Sequence, residues 1–331
     1  MRFRPRALCA TSPILGLALG LAATAQAQDS CAHRGDLDTP YCDANKDLVA
    51  DAPTGAGKTK TPGTIVFTFT PVEDPAVYEK IFRNFTEHLS SCMSRRVVFF
   101  QVQSNAAEIE AMRAGRLHVG SFSTGPTSFA VNIAGAVPFA VRGTEKGFMG
   151  YNVITIVKKD SPFQKLSDLK GKRVAHVAPS SNSGHMVPLA LFPKEGLTPE
   201  QDYKLIFSGK HDQSILGVMN GDYDAAAVAS DVFHRMAQRG AIKEDNFRVI
   251  YQSSKFPNSA FAHAHDLEPA FAEQMKKCFF DYRFTPEMKQ AFDGADRFVP
   301  ASYLKDWAVV RDVAAASGEK FNRAAYERTK K

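Results

Sequence analysis

The feature that most constrains this chain is an alternation of short apolar runs with amphipathic segments, from Thr64 to about Tyr251. Residues 64–69 (TIVFTF) are β-branched and aromatic and read as a strand. A turn at Thr70-Pro71 ends it, and residues 76–91 place Tyr78, Ile81, Phe82, Phe85 and Leu89 at helical spacing. A strand at 96–102 follows, then a helix that Asn105 is expected to cap and Gly115 to end, then a strand at 117–122. This β-α-β-α-β order predicts an α/β lobe with a largely parallel sheet.

Residues 151–157 (YNVITIV) form another apolar strand, and Lys158-Lys159-Asp160-Ser161-Pro162 breaks the chain after it. A second series then begins, with strands at 173–177, 203–207, 223–228 and 247–251 separated by helical segments. The chain returns through Phe261-Ala262-His263 to a helical C-terminal part. The expected architecture is an α/β clamshell of two lobes, each a mixed, mostly parallel sheet flanked by helices, with two hinge crossovers. The expected boundaries are 63–157 plus 262–331 for lobe 1 and 158–261 for lobe 2.

The amino terminus speaks to the compartment. Arg2, Arg4 and Arg6 precede an apolar run at 13–23 and the small-x-small site Ala25-Gln26-Ala27. This predicts a secretory signal peptide, 1–27, cleaved after Ala27 and directing the chain to the periplasm; the apolar run is short for a membrane anchor. Residues 28–62 are polar and read as an extended arm. Cys9 falls in the signal, leaving Cys31, Cys42, Cys92 and Cys278. An even number in an oxidising compartment predicts disulfides. Three pairings are open, and the expected one joins Cys31 to Cys42 and Cys92 to Cys278. The formal charge is +6, of which the three signal arginines carry half, so the mature chain holds only about +3. With no basic run or nucleic-acid motif, nucleic acid is a poor partner. No CxxC and no histidine pair at ligand spacing marks a metal site, and no cofactor is implied.

Small polar residues gather where strands hand over to helices. Ser180-Ser181-Asn182-Ser183-Gly184 is the densest group; Thr124-Gly125-Pro126-Thr127 and Thr70-Pro71-Val72 repeat the pattern. Helix N-termini present free N–H groups and favour negative charge. Ligands of α/β sheets sit beyond the carboxyl ends of strands. Hydroxyls and amides converging there suit an oxyanion. His211, in Ser208-Gly209-Lys210-His211-Asp212, is a further donor candidate. Asp231 is a candidate acceptor for the proton of a partly protonated anion, or for an amine on an aminophosphonate. No GxSxG, HExxH, Walker A or GxGxxG motif appears and no cysteine looks activated, so no enzyme is predicted.

These pieces stand in an order that resembles the phosphonate/phosphite/phosphate-binding proteins of ABC transporters, the PhnD-like family of type II periplasmic binding proteins. The resemblance runs through the Thr-Pro turn after the first strand, 109–117 (IEAMRAGRL), Gly125-Pro126-Thr127, 166–171 (LSDLKG), Ser181-Asn182-Ser183-Gly184 with Pro188, 208–212 and 221–227 with Ser230-Asp231. It implies a two-lobe protein that closes on a small phosphorus oxyanion and delivers it, as a monomer, to an ABC permease in the inner membrane. It places the phosphonyl oxygens at Ser181, Asn182 and Ser183 and gives roles to His211 and Asp231. The expected ligand set is Thr70, Val72, Thr124, Thr127, Ser180, Ser181, Asn182, Ser183, His185, His211 and Asp231. Here Asn182 replaces a common Thr, His185 a common Tyr, and Thr124 a common aromatic, which makes the site more polar. The alternative on the same fold is a periplasmic sensor that binds an oxyanion, arsenic included, and signals to a membrane histidine kinase. Cys92 and Cys278 would be its candidate thiols.

Overall fold

Asp74 and Pro75 start the first helix because the Asp74 carboxylate accepts the Ala76 N–H and proline fits the first helical turn. The helix, α1 (Pro75–Met93), buries Tyr78, Phe82, Phe85, Leu89 and Met93 along one face. That face meets Phe67 and Phe69 of β1 (Thr64–Phe69). Phe261, Phe279 and Phe298 close the same aromatic core, with ring centroids 4.7–5.7 Å apart. The computed structural model describes residues 31–330, so the expected signal peptide lies outside the described residues. Among the described residues no helix is long and apolar enough to cross a membrane.

Among the described residues, twelve strands build two sheets. They are β1, β2 (Arg96–Phe99), β3 (Val119–Phe122), β4 (Ala136–Thr144), β5 (Gly147–Phe148), β6 (Gly150–Lys158), β7 (Arg173–His176), β8 (Lys204–Phe207), β9 (Ala225–Ala229), β10 (Phe247–Pro257), β11 (Ala260–Ala264) and β12 (Arg297–Pro300). The first sheet runs β12-β4-β11-β3-β1-β2, with β5 beside β4; the second runs β10-β6-β9-β7-β8. Pairing is parallel where β-α-β units were read, in β2-β1-β3 and β8-β7-β9. The strands that carry the chain from one sheet to the other (β4, β6, β10 and β11) pair antiparallel with their neighbours.

The strand at 151–157, assigned to lobe 1 on sequence, lies instead inside the second sheet between β10 and β9. An apolar strand reads the same in either sheet; partner strands decide its place. The crossings therefore fall at Met149 and at Asn258-Ser259, and the Asn258 side-chain amide donates to the Met149 carbonyl, tying them together.

The helices that matter for the site are α1, α2 (Asn105–Arg113), α3 (Thr124–Ala134), α4 (Val187–Leu191), α5 (His211–Asn220) and α6 (Ser230–Gln238); α7 (Pro269–Asp281) backs the first sheet. Ser104, not Asn105, caps α2 by accepting the Ala107 N–H. Both expected disulfides are formed, Cys31–Cys42 and Cys92–Cys278, the second joining α1 to α7. From residue 31 onward the N-terminal arm is a run of turns rather than an extended segment, because Leu37, Tyr41 and Ala50 are apolar and bury. The Tyr41 ring packs edge-on against His265.

Candidate functional site

A cavity of about 40 Å³ lies between the two sheets. That is a few times the space one water needs, about 10–15 Å³, and the scale of one small anion. It is lined by Val72, Asn105 and Thr124 from the first lobe, and by Ser181, Asn182, Ser183, His211 and Asp231 from the second.

The serine loop forms one part of the wall. Ser181 caps the helix by accepting the Gly184 N–H, and a wide π-type turn, Asn182–Met186, leads into α4. A Cβ at Gly184 would stand 2.4 Å from Val177, so glycine lets the loop pack on the end of β7. The Asn182 amide donates to the Tyr151 hydroxyl at 2.9 Å, while Asn182 Oδ1, buried, has no donor. Burial pushes the Tyr151 phenol up to about 12, which keeps its O–H in place.

His211 opens α5. The Ala229 N–H points at His211 Nδ1, 3.3 Å away, so the neutral ring holds its proton on Nε2, 3.4 Å from Ser183 Oγ. Burial pulls His211 down to about 4, against the opposing pull of Asp231 and Glu73. The ring is therefore an uncharged N–H donor at neutral pH.

Asp231 does not cap α6; no side chain caps that helix. Its carboxylate lies 3.5 Å from the Arg142 guanidinium of β4 and 3.8 Å from Arg235. Arg142 also stacks over Phe292, 4.2 Å from the ring centroid. Arg235 donates to the fully buried Glu73 at 2.6 Å, and Arg239 and Tyr78 complete that carboxylate's shell. Burial would raise Glu73, but Arg235 and then Arg239 outweigh it and hold the carboxyl below its usual range.

The two lobes touch around the cavity. Thr124 Oγ1 donates to the Pro257 carbonyl at 2.9 Å, and the His211 N–H donates to the Val72 carbonyl at 3.3 Å. Asn105 Nδ2 reaches Ser180 Oγ at 3.4 Å, and a Cβ on Gly125 would meet the Ser180 carbonyl at 2.3 Å. Trp307 Nε1 donates to the Thr124 carbonyl and fixes the start of α3.

Four expected residues fall outside the lining. Thr70 bonds Asn105, and Ser180 stands behind Asn105, so both support the wall. Thr127 points back, its one hydroxyl proton shared between the Phe122 and Ser123 carbonyls, as threonines inside helices can do. His185 turns away from the cavity. Its Nδ1 lies 2.9 Å from His176 Nδ1, its ring packs on Phe207, and it borders a separate, largely apolar hollow with Phe129 and Phe321. Burial pulls His185 down to about 4. All four cysteines expected in the mature chain are paired, so no thiol is presented to the cavity.

Residues 67–307 match the family described as the periplasmic substrate-binding protein of phosphonate ABC transporters. The chain belongs to that family. It is 30% identical over 251 residues to the phosphate-import protein PhnD of Mycolicibacterium smegmatis, covering 70% of this chain and 78% of that one. It is 25% identical over 214 residues to the phosphonates-binding periplasmic protein of Escherichia coli, with 63% of each chain covered. Among solved structures, PhnD1 of Prochlorococcus marinus in complex with methylphosphonate superposes with a TM-score of 0.70 at 20% identity, over 78% of this chain and all of that one. The binding component of a phosphonate transporter from Pseudomonas aeruginosa gives 0.69 at 21%. These likenesses establish the type II periplasmic binding fold, and the family works with the membrane components of ABC transporters.

The sequence reading missed Arg142, Tyr151, Arg235 and Asn105. Arg142 carried one signal: it is a lone charge directly after the apolar run 136–141. Arg235 carried another, at the i+4 position from Asp231 on a helix.

Proposed function

We propose that this protein is the periplasmic solute-binding component of an ABC importer and captures one small phosphorus oxyanion between its lobes. The observation that carries the reading is the convergence of uncharged donors from both lobes on one small cavity. The start of α3 at Thr124, whose hydroxyl is held by the Pro257 carbonyl, comes from the first lobe; Ser181, Ser183 and the His211 Nε2–H come from the second. Neutral donors hold an oxyanion reversibly, while the charged groups on the wall, Arg142 and Arg235, are in part offset by Asp231. Their grouping at strand ends and helix starts follows the general rule for such sheets. The unpartnered Asn182 Oδ1 supplies an acceptor for a P–OH proton, a feature sulfate lacks at neutral pH. The volume favours phosphite, methylphosphonate or phosphate over long-chain organophosphonates.

The test is a thermal-shift panel on the mature protein with phosphite, methylphosphonate, phosphate, arsenate, arsenite and sulfate. At a hundredfold excess over the dissociation constant, binding adds about 2.7 kcal/mol of stability, a shift of several degrees. A shift with a phosphorus anion and none with sulfate is expected. No shift with any phosphorus anion refutes the reading; a shift with arsenic species alone favours a sensor.

A further inference from the structure

Three charged side chains line the cavity: the guanidinium groups of Arg142 and Arg235, and the carboxylate of Asp231. The carboxylate is engaged by the protein through one oxygen, Oδ2, and 14% of the side chain stays exposed. It sits 3.5 Å from Arg142 and 3.8 Å from Arg235, so it is shared between two permanent positive charges. Both arginines are almost wholly buried, with only 4% of each exposed. Arg142 Nε and Arg235 Nη1 have no hydrogen-bond partner. Buried donors left unmade are costly, and both belong to residues on the cavity wall. The other carboxylate nearby, Glu73, is likewise occupied, by Arg235, Arg239 and Tyr78. An ammonium group brought in on a ligand would face two guanidinium groups and compete with them for the only carboxylate on the wall.

We propose that Arg142, by holding Asp231 and placing its positive charge on the cavity wall, makes this site selective for phosphorus oxyanions that carry no amine, and excludes aminoalkylphosphonates. The proposal rests on the phosphorus-oxyanion reading above. It assigns Arg142 the part of a selectivity residue: with the guanidinium present, the carboxylate serves the protein; without it, the carboxylate is released to serve a substrate amine. Like-charge juxtaposition is an efficient way to reject a wrong ligand.

The test uses a pair of ligands matched in size, ethylphosphonate and aminomethylphosphonate, with methylphosphonate as reference, titrated calorimetrically into the exported protein. Ethylphosphonate is expected to bind at least tenfold more tightly than its amino counterpart. In Arg142→Gln that ratio is expected to fall at least tenfold, as amine-free anions weaken and the amine gains Asp231. Arg142→Lys is expected to keep the wild-type order. Equal binding of the matched pair by the wild type overturns the proposal, as does an unchanged ratio in a folded Arg142→Gln protein. If methylphosphonate binds and neither of the pair does, size alone sets the selectivity and the proposal fails. If no phosphorus anion binds, the functional reading itself falls and takes the proposal with it. Should Arg142→Gln not fold, the wild-type comparison still decides.

Discussion

Gly125→Ala is expected to block closure while leaving the separate lobes intact. Gly125 is the second residue of α3, in the first lobe, and it faces the serine loop of the second. An added Cβ would lie 2.3 Å from the Ser180 carbonyl oxygen, 2.8 Å from Met186 Cε and 3.0 Å from the Asn182 nitrogen. Met186 has a flexible end that moves aside cheaply. The Ser180 carbonyl and Asn182 nitrogen are backbone, and the same loop presents Ser181, Asn182 and Ser183 to the cavity. Relief to an ordinary contact needs about 1 Å of separation at this point. Overpacking of this kind costs about 1–3 kcal/mol, and a backbone obstacle puts the effect at the upper end. That corresponds to roughly a hundredfold loss of affinity. The assay is calorimetric titration of wild type and variant with the ligand found by thermal shift, alongside melting of each protein without ligand. Affinity is expected to fall about a hundredfold while the ligand-free melting point changes little, because the clash exists only where lobes meet. Affinity within threefold of wild type refutes the reasoning. So does a ligand-free melting point that falls in proportion to the lost affinity, which would make Gly125 an ordinary core position.

Arg235→Met is expected to destabilise the protein by about 3 kcal/mol, because it takes one of two guanidinium partners from the buried Glu73 carboxylate and leaves it with Arg239 and Tyr78; in chemical denaturation, Glu73→Gln added to it should recover a large part of the loss, and no recovery refutes the pairing. Thermal stability is expected to fall as pH drops from about 6.5 toward 4. The unfolded chain takes up protons on His211 and His263 near pH 6.5 that the folded chain takes up only near about 4. The stability is thus fully present above the unfolded value, and about 2 kcal/mol per histidine is gone by pH 5; a melting point flat over that range contradicts the assignment. Replacing Cys92 and Cys278 by serine is expected to cost more than replacing Cys31 and Cys42. The first bond closes a separation of 186 residues and the second one of 11, worth roughly 5 against 3 kcal/mol by loop entropy; the reverse order in denaturant titrations sinks that argument.

The parts of the site legible in sequence are those whose chemistry is local. A serine-rich turn between a strand and a helix announces itself, and so do Thr124-Gly125-Pro126 and His211 at a helix start, because backbone direction and side-chain type are set within a few residues. What stayed hidden depends on contacts between distant segments. Arg142 on β4 meets Asp231 on α6, and Glu73 after β1 meets Arg235, 162 residues away. Nothing near Arg142 in the sequence points to Asp231, and nothing near Arg235 points to Glu73. His185 failed for a related reason: one residue past the glycine, the wide helical turn rotates its side chain toward His176 and Phe207 instead of the cavity. Asn105 was read as a cap; Ser104 takes that duty and frees the amide to reach Ser180. The strand at 151–157 was legible as a strand but not as a member of the second sheet, since pairing register is not written in hydrophobicity.

On the proposed reading, recognition and closure use the same residues. Thr124 and His211 line the cavity and also bond across the cleft, and Asp231 meets the other lobe's Arg142 at the cavity wall. The charged contacts between lobes do not by themselves drive closure, because removing two charges from water offsets most of their attraction in a buried pair. They fix which way the lobes meet, since the wrong register would leave Glu73 or Asp231 buried and uncompensated. The surplus that favours the closed form must then come from groups whose bonding is incomplete when the lobes meet. Asn182 Oδ1, Arg142 Nε and Arg235 Nη1 are such groups, all on residues lining the cavity. An oxyanion that satisfies them joins the interface as one of its parts. Affinity and closure are then two readings of the same free energy, and a ligand that fits the pocket but leaves those three atoms unmet should bind without holding the lobes shut.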